Sequence, residues 1–327
     1  MAREIKEHAY ATYPRRFTGY KWYKPIIFFL LFASAYTALS VAVTIAAMIT
    51  SPDYEVLLKS AMGGYDTMDV FTASGAIITL GSLAIITPSI FIAALVYGDR
   101  PFSSYSSSRG GWNWKIFIRT FAAALGICGI PVAVYQLSQH VNGANRFTVA
   151  GFICLTILGP LQCVAEEYLF RGLIIQTVGS WFKLTSVAVL VEVIVFALMH
   201  PYNIIGVIAI AVSGICFGLS AVITKGLEAG SALHIVNNMT IFYMAGFGYA
   251  EIKTDADVPG LIVDSLINIA YVVFLLVVSK KFHWFDEVKK DDVAIYNEKK
   301  AEKAAQAAKI KEQRLKASTT DSQEESE

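Results

Sequence analysis

Charged residues are scarce in this chain of 327 residues: they make up 16% of it, against roughly 25% in a soluble domain. Hydrophobic residues make up 55%, and the mean hydropathy is +0.52. These values exclude an ordinary soluble globular protein and favour a polytopic membrane protein. The net charge of +1 gives no basis for a nucleic-acid partner.

Cysteine is rare as well. The four cysteines are Cys128, Cys154, Cys163 and Cys216, all in apolar segments and without a CxxC pair. Such residues are typically buried small hydrophobes, so neither a disulfide framework nor a thiolate metal site is predicted. The HExxH motif is also missing, which removes the usual zinc-protease signature. No cleavable signal peptide is predicted.

Long apolar runs are abundant, and a span of the bilayer needs roughly 20 apolar residues. The runs cover 25–49, 71–97, 114–137, 148–178, 184–200, 204–224, 230–249 and 260–279. The fifth and seventh runs are the weakest, being short or polar at one end. The sequence therefore predicts an all-α, multi-pass protein of the cell membrane with about eight transmembrane helices in contact with lipid.

Charge divides the chain into a cytoplasmic N-terminal segment (1–24), a transmembrane domain (25–280) and a polar cytoplasmic tail (281–327). Lysine and arginine are frequent in the N-terminal segment, in the loop 98–115 and in the tail. The alternate loops are poor in them and hold only Lys59, Arg146 and Lys253. Because loops rich in Lys and Arg stay in the cytoplasm, both termini are predicted to be cytoplasmic.

Several segments outside the spans carry expectations of their own. The aromatic residues expected to form an interfacial belt are Trp22, Tyr23, Trp112, Trp114 and Trp181. The stretch 100–114 is expected to be an interfacial loop. The middle of the tail is predicted to be helical and its end disordered. Gly214 and Gly218 form a GxxxG pair that predicts close helix packing.

The interiors of the first three runs carry essentially no charge, and the strongly polar residues within the spans are concentrated in the second half of the chain. They are Glu166, Glu167 and Arg171 in the fourth run, Glu192 and His200 in the fifth, His234, Asn237 and Asn238 in the seventh, and Asp264 and Asn268 in the eighth. A charged side chain at the bilayer centre costs at least ~2.5–3.5 kcal/mol. Since each group needs a partner in a dry environment, the pattern predicts a shared functional cavity.

Helix geometry separates the two adjacent carboxylates. Glu167 and Arg171 are spaced i, i+4 and can form an internal ion pair. Glu166 points ~100° away, at 3.6 residues per turn, and is left for another partner. His234 and Asn238 are also spaced i, i+4, so both can face one cavity.

This inventory supports two related chemistries. A carboxylate and a histidine can activate water as a general base while donors stabilise an oxyanion. Alternatively, two histidines and a carboxylate can hold a zinc ion whose water attacks a carbonyl. An ion-coupled transporter is a third reading of intramembrane acids, but inverted repeats would place polar residues in both halves of the chain.

Three segments match a known pattern: EEYLFR fits EExxxR, FALMH fits FxxxH and HIVNN fits HxxxN. In this order, each within a hydrophobic run, they resemble the CAAX protease and bacteriocin-processing (CPBP) family of intramembrane endopeptidases, also called the Abi family. The resemblance covers about residues 148–240. It implies hydrolysis of a peptide bond in a membrane-associated protein or peptide, of the CAAX type or in bacteriocin processing. The alternative is a non-catalytic bacteriocin self-immunity or scaffold protein with the same fold.

The resemblance also implies catalytic roles. Glu166 and His200 match the pair assigned to water activation, and His234 and Asn238 match the pair assigned to oxyanion binding. The family is described both as metallopeptidases and as metal-free enzymes. If zinc is the cofactor, the candidate ligands are Glu166, His200 and His234.

Other residues are expected to support this set. Glu167 and Arg171 fill the remaining motif positions as an orienting pair, and Phe196 lies on one helix stripe with Glu192 and His200. Glu192 departs from the family pattern, eight residues before the motif histidine. It is expected to be a third acid in the cavity or a partner of His200.

The depth of His200 sets a constraint. Glu166 and His234 fall in the inner half of the membrane, whereas His200 falls in the outer half at a rise of 1.5 Å per residue. The fifth span is therefore predicted to be tilted, to start outside the hydrocarbon or not to cross fully. The cavity is expected to open to the cytoplasm or laterally to lipid, with Asp264 and Asn268 lining it or packing helices. No feature of the sequence sets an oligomeric state.

Overall fold

A computed structural model describes residues 10–50, 69–200, 202–252 and 256–324. These residues form helices and no strands, apart from an isolated bridge between Ser107 and Gly226. The predicted all-α class is thus confirmed. Lys59 and Lys253, which the loop-charge argument used, lie outside the described part, as do residues 1–9 of the N-terminal segment.

Nine long helices follow one another along the described chain. They are α1 (Lys24–Thr50), α2 (Ala73–Tyr97), α3 (Trp114–Ser138), α4 (Val149–Phe182), α5 (Thr185–Leu198), α6 (Ile204–Thr224), α7 (Glu228–Gly246), α8 (Val258–Phe282) and α9 (Asp292–Glu324). α2, α3 and α4 contain π-helical turns, at Ile77–Gly81, Leu125–Gly129 and Tyr168–Ile175.

Each of the eight apolar runs corresponds to one of the helices α1–α8. Six described helices are long and apolar enough to cross a membrane: α1 to α4, α6 and α8. α5 has 14 residues, which span ~21 Å at 1.5 Å per residue and fall short of a ~30 Å hydrocarbon core. α7 is interrupted by polar residues. The multi-pass membrane architecture is confirmed, while the count of eight spans and the cytoplasmic termini stay predictions.

The helices differ in what they face. α1 buries only Phe28, Phe32 and Ala47 of its 27 residues, and its outer side chains include Ile49, which is 79% exposed. Such an apolar exterior fits lipid rather than water. α7 is the opposite case, because every residue from 228 to 236 is buried. The polar helix therefore lies inside the bundle, where its side chains can find partners.

A layer formed by the N-terminal turn, the loop 98–113 and the start of α9 covers one end of the bundle. The Tyr10 hydroxyl donates to the Tyr105 carbonyl over 3.0 Å. The Ser103 hydroxyl donates to the Asp292 carboxylate over 2.5 Å, which ties the loop to α9. We call this the terminal layer. It belongs to the side of the protein that the loop charges place in the cytoplasm.

The stretch 100–114 differs from the expected interfacial loop. Residues 104–110 are all buried. Arg109 reaches into the bundle, where its Nη2 lies 2.8 Å from Glu228 Oε2 with both side chains almost fully buried. The loop can be buried because Glu228 compensates its arginine, and local sequence gave no sign of that partner.

The tail is more regular than expected. α9 includes the predicted helical middle and continues through the acidic stretch to Glu324. Its first turns pack on the terminal layer, where the Tyr296 hydroxyl donates to the Gly98 carbonyl over 3.0 Å. The disordered end of the tail stays a prediction.

Candidate active site

The EEYLFRG segment coincides with a change of helix geometry in α4. Regular α-helix ends at Glu167, and a π-helical segment runs from Tyr168 to Ile175 with Arg171 inside it. π turns occur frequently at functional sites. His200 follows the last turn of α5, as expected, and His234 lies in the buried half of α7.

A buried ion-pair network joins α4 to α5. Arg171 Nη1 lies 2.9 Å from Glu167 Oε1, which confirms the predicted i, i+4 pair. Arg171 Nη2 lies 3.0 Å from Glu192 Oε1, and all three side chains are fully buried. The expectation that Glu192 partners His200 is therefore wrong. Eight residues along a helix correspond to ~12 Å, so Glu192 lies at the level of Arg171 instead.

Aromatic rings surround the arginine. The Arg171 guanidinium carbon lies 4.6 Å from the ring centroid of Phe196 and 5.0 Å from that of Phe217. Cation–π contacts of this kind strengthen when water is excluded. Phe217 also stacks on His234, with ring centroids 4.8 Å apart. The rings fix the plane of the imidazole and the position of the guanidinium together.

His234 bridges the two adjacent carboxylates. Its Nδ1 lies 3.0 Å from Glu167 Oε1, and its Nε2 lies 3.5 Å from Glu166 Oε2. If Nδ1–H donates to Glu167, a neutral ring presents a lone pair to Glu166. Two acceptors facing each other repel, so the contact is attractive only when a proton lies on Glu166 or on Nε2. The site is therefore built to hold one proton between these two residues.

His200 approaches the cluster from α5 without an ion pair to Glu166 in the described part of the chain. Its Nδ1 donates to the Phe196 carbonyl over 2.7 Å, which leaves the Nε2 lone pair free. Phe196 stands between the histidines, with its ring centroid 4.7 Å from that of His200 and 6.4 Å from that of His234. The short α5 agrees with the prediction that the fifth span does not cross fully.

Tyr202 faces the same region from the loop after α5. Burial raises the pKa of its hydroxyl, and the charge of Glu166 raises that pKa further. The phenol is thus a neutral donor that lies within electrostatic reach of Glu166.

A zinc site was one of the predicted alternatives. Among the described residues, no three His, Cys, Asp or Glu side chains are grouped so that they could hold a metal ion. Both ring nitrogens of His234 already face carboxylates. The zinc-ligand set Glu166, His200 and His234 does not fit an ion in this arrangement.

A polar cavity of about 520 Å³ reaches Asn238 from the end of the bundle opposite the terminal layer. Tyr202, Ser213 and Asp264 line it with Asn237 and Asn238. The loops around its mouth are those that the charge pattern places outside the cytoplasm. The expectation of a cytoplasmic opening is therefore not met by this cavity. The expectation that Asp264 lines the cavity is met.

Two further residues shape the site. Cys163 lies three residues before Glu166, with its Sγ 3.7 Å from the His234 carbonyl. Gly230 lies four residues before His234 on the same helix face. Residues three or four apart are neighbours on a helix. This spacing could have identified Cys163 as a neighbour of Glu166 and Gly230 as a neighbour of His234.

Gly230 allows α7 to approach α4. A Cβ atom there would lie 2.7 Å from Glu167 Oε2 and 3.6 Å from the Phe217 carbonyl. We expect Gly230→Ala to displace Glu167 and destabilise the protein by about 1–3 kcal/mol, as overpacking does. The measurement is the free energy of unfolding in detergent.

Gly126→Ala is the matched control, because a Cβ at Gly126 meets nothing within 4 Å. This substitution is expected to be neutral or slightly stabilising, since alanine restricts the unfolded chain. Equal free energies of unfolding for the two variants would contradict the close approach at Gly230.

Residues 145–240 match the Rce1-like family, described as type II CAAX prenyl endopeptidase Rce1-like. The chain is also 25% identical over 167 residues to YyaK, an uncharacterized protein of Bacillus subtilis (strain 168). That match covers 46% of this chain and 55% of YyaK, so it spans about half the length of the relative. No solved structure matches the chain.

The matched segment runs from the residues before α4 to the middle of α7. It contains all three motifs and every charged residue of the buried cluster. The resemblance inferred from the motifs is therefore confirmed: residues 145–240 of this multi-pass membrane protein are similar to the Rce1-like family.

Proposed function

We propose that the protein is an intramembrane endopeptidase that cleaves a peptide bond of a membrane-associated protein or peptide. The observation that carries this proposal is the contact of His234 with both Glu166 and Glu167 inside the segment matched to an endopeptidase family. A merely structural ion pair would need Arg171 and one carboxylate. Three buried carboxylates, one arginine and a histidine that shares a proton have the composition of an acid–base site.

Glu166 is the proposed general base. Of the three clustered glutamates it is the only one with residual exposure, at 7%, while Glu167 and Glu192 are fully buried. Glu166 is therefore the carboxylate of this cluster that water can reach most easily. Glu166 takes one proton from the water, and His200 assists through its free Nε2.

The remaining steps use donors already in place. The hydroxide adds to the carbonyl carbon, and the resulting oxyanion accepts hydrogen bonds from Asn238 and from protonated His234. When the intermediate collapses, the carbon–nitrogen bond breaks and the proton on Glu166 moves to the leaving amine. Glu167 and Arg171 hold His234 and take no proton, because they compensate each other.

The proposal is tested by comparing membrane peptides from cells that carry the native protein and cells that carry Glu166→Gln. Newly formed peptide termini are expected only with the native protein, and their uncleaved precursors are expected to accumulate with the variant. Glu298→Gln, an equal charge change on the exposed face of α9, should behave as the native protein does. Identical termini and an unchanged phenotype with Glu166→Gln would instead support the non-catalytic immunity or scaffold role.

A further inference from the structure

The cavity that reaches Asn238 is lined by charge of one sign. Among the described residues that line it, the charged ones are Glu251, Asp257 and Asp264, and all three are acidic. Asp257 caps the start of α8 by accepting from the Gly260 amide over 2.8 Å. Glu251 lies at the mouth, whereas Asp264 lies within the apolar length of α8. These positions extend an acidic wall from the mouth into the membrane.

Asp264 is a half-buried acid for which the described part of the chain supplies no ion pair. The Ser213 hydroxyl donates to its Oδ2 over 3.0 Å. The Asn268 amide donates to its carbonyl over 2.9 Å, while Asn268 Oδ1 is buried and has no hydrogen-bond partner. An ionisable residue at this depth is costly unless a partner compensates it, and such residues mark binding sites and pathways.

Asp264 and Asn238 face the same space. Asn238 is the proposed oxyanion donor, and Asp264 lies on the opposite helix wall of the cavity together with Ser213. A peptide whose scissile carbonyl reaches Asn238 must therefore pass Asp264. The charge of the peptide residues next to that carbonyl then interacts with the Asp264 carboxylate inside the cavity.

We propose that Asp264 selects a peptide segment that carries a lysine or arginine next to the bond to be cut. This inference rests on the proposed function and names the substrate class of the same site. A free carboxylate terminus would meet three like charges in this cavity, whereas a cationic side chain supplies the counter-charge that Asp264 needs. The mouth of the cavity lies opposite the terminal layer. The peptide segment therefore enters from the face of the membrane away from that layer.

The test is a binding measurement on the full-length protein in nanodiscs of zwitterionic phosphatidylcholine. The probes are three fluorescent 12-residue peptides of alternating leucine with lysine, serine or glutamate, and empty nanodiscs report binding to lipid. We expect the lysine peptide to bind about tenfold or more tightly than the serine peptide, because a hydrogen bond between charged groups is stronger than one between neutral groups. The glutamate peptide is expected to bind most weakly.

Two substitutions distinguish a charge effect from a packing effect. Asp264→Asn should abolish the preference for lysine, and Asp264→Glu should keep it. Asp69→Asn removes an equal charge from an exposed ion pair with Arg146 at the same end of the bundle and should leave the preference unchanged. A lysine preference that survives Asp264→Asn, or equal binding of the lysine and glutamate peptides, would overturn the inference.

Binding does not depend on hydrolysis, so the same measurement is made with Glu166→Gln. Selective binding that persists there shows that Asp264 acts in recognition, even if no peptide is ever cut. A protein that keeps the preference for lysine but does not cleave contradicts only the proposed function. A protein that cleaves without this preference contradicts only the role of Asp264.

Discussion

Replacing Glu166 by glutamine is expected to lower the rate of peptide cleavage by at least about a hundredfold, because a positioned general base contributes ~10²–10⁴ to the rate. Glutamine keeps the size of the side chain and its contact with His234. It cannot accept a proton from water. The rate is measured on the purified native and variant proteins with a peptide identified by the comparison of membrane termini.

The same change should not weaken the fold. The cluster contains three carboxylates and one arginine, so removing one negative charge reduces repulsion. We therefore expect the unfolding midpoint of Glu166→Gln in detergent to equal or exceed that of the native protein. Glu167→Gln is the informative neighbour: it removes the charge that pairs with both Arg171 and His234, and it should lower activity and stability together.

A native rate in folded Glu166→Gln protein would refute the assignment of the general base. A large loss of stability in that variant would instead mean that Glu166 is a structural acid. Comparing the Glu166 and Glu167 variants therefore distinguishes a catalytic role from a structural role at two adjacent residues.

Local geometry explains which parts of this site were predictable. The Glu167–Arg171 pair follows from helix spacing alone, and the observed distance of 2.9 Å agrees with it. The GxxxG prediction also holds, because a Cβ at Gly214 would lie 3.2 Å from Phe196 and one at Gly218 would lie 3.3 Å from Glu192. The ion pair depends only on the spacing of two residues within one helix. The close packing depends only on the missing side chain of each glycine.

Contacts between helices were not predictable in the same way. The pairing of Glu192 with Arg171 depends on how far α5 slides along α4, and one turn of slide would move it by ~5.4 Å. The contact of His234 with both carboxylates depends on the approach of α7, which Gly230 permits. Glu228 was overlooked because its partner Arg109 lies in a loop 119 residues earlier. The order of the motifs predicted which helices meet, but it could not predict how far one helix is displaced along the next.

Arg171→Met is expected to destabilise the protein by about 3–5 kcal/mol, the range found when one partner of a buried ion pair is removed. Glu167 and Glu192 would both remain fully buried without a counter-charge. Methionine suits the space, since it is flexible and apolar and its neighbours would be the rings of Phe196 and Phe217. The effect is therefore electrostatic rather than a cavity. The free energy of unfolding is measured in detergent.

The exposed pair Arg146–Asp69 provides the control. Its side chains are 48% and 39% exposed, so Arg146→Met should change the free energy of unfolding by no more than about 1 kcal/mol.

A triple variant separates charge from packing. Adding Glu167→Gln and Glu192→Gln to Arg171→Met removes the uncompensated carboxylates, so most of the lost stability should return, because residues in one network are coupled rather than additive. Activity should not return, since His234 would have lost the charged partner that fixes its Nδ1. If the triple variant stays as unstable as Arg171→Met, the arginine acts through its contacts with the aromatic rings and not as a counter-charge. If it regains activity as well, Glu167 does not orient His234, and the proton between Glu166 and His234 is held by those two residues alone.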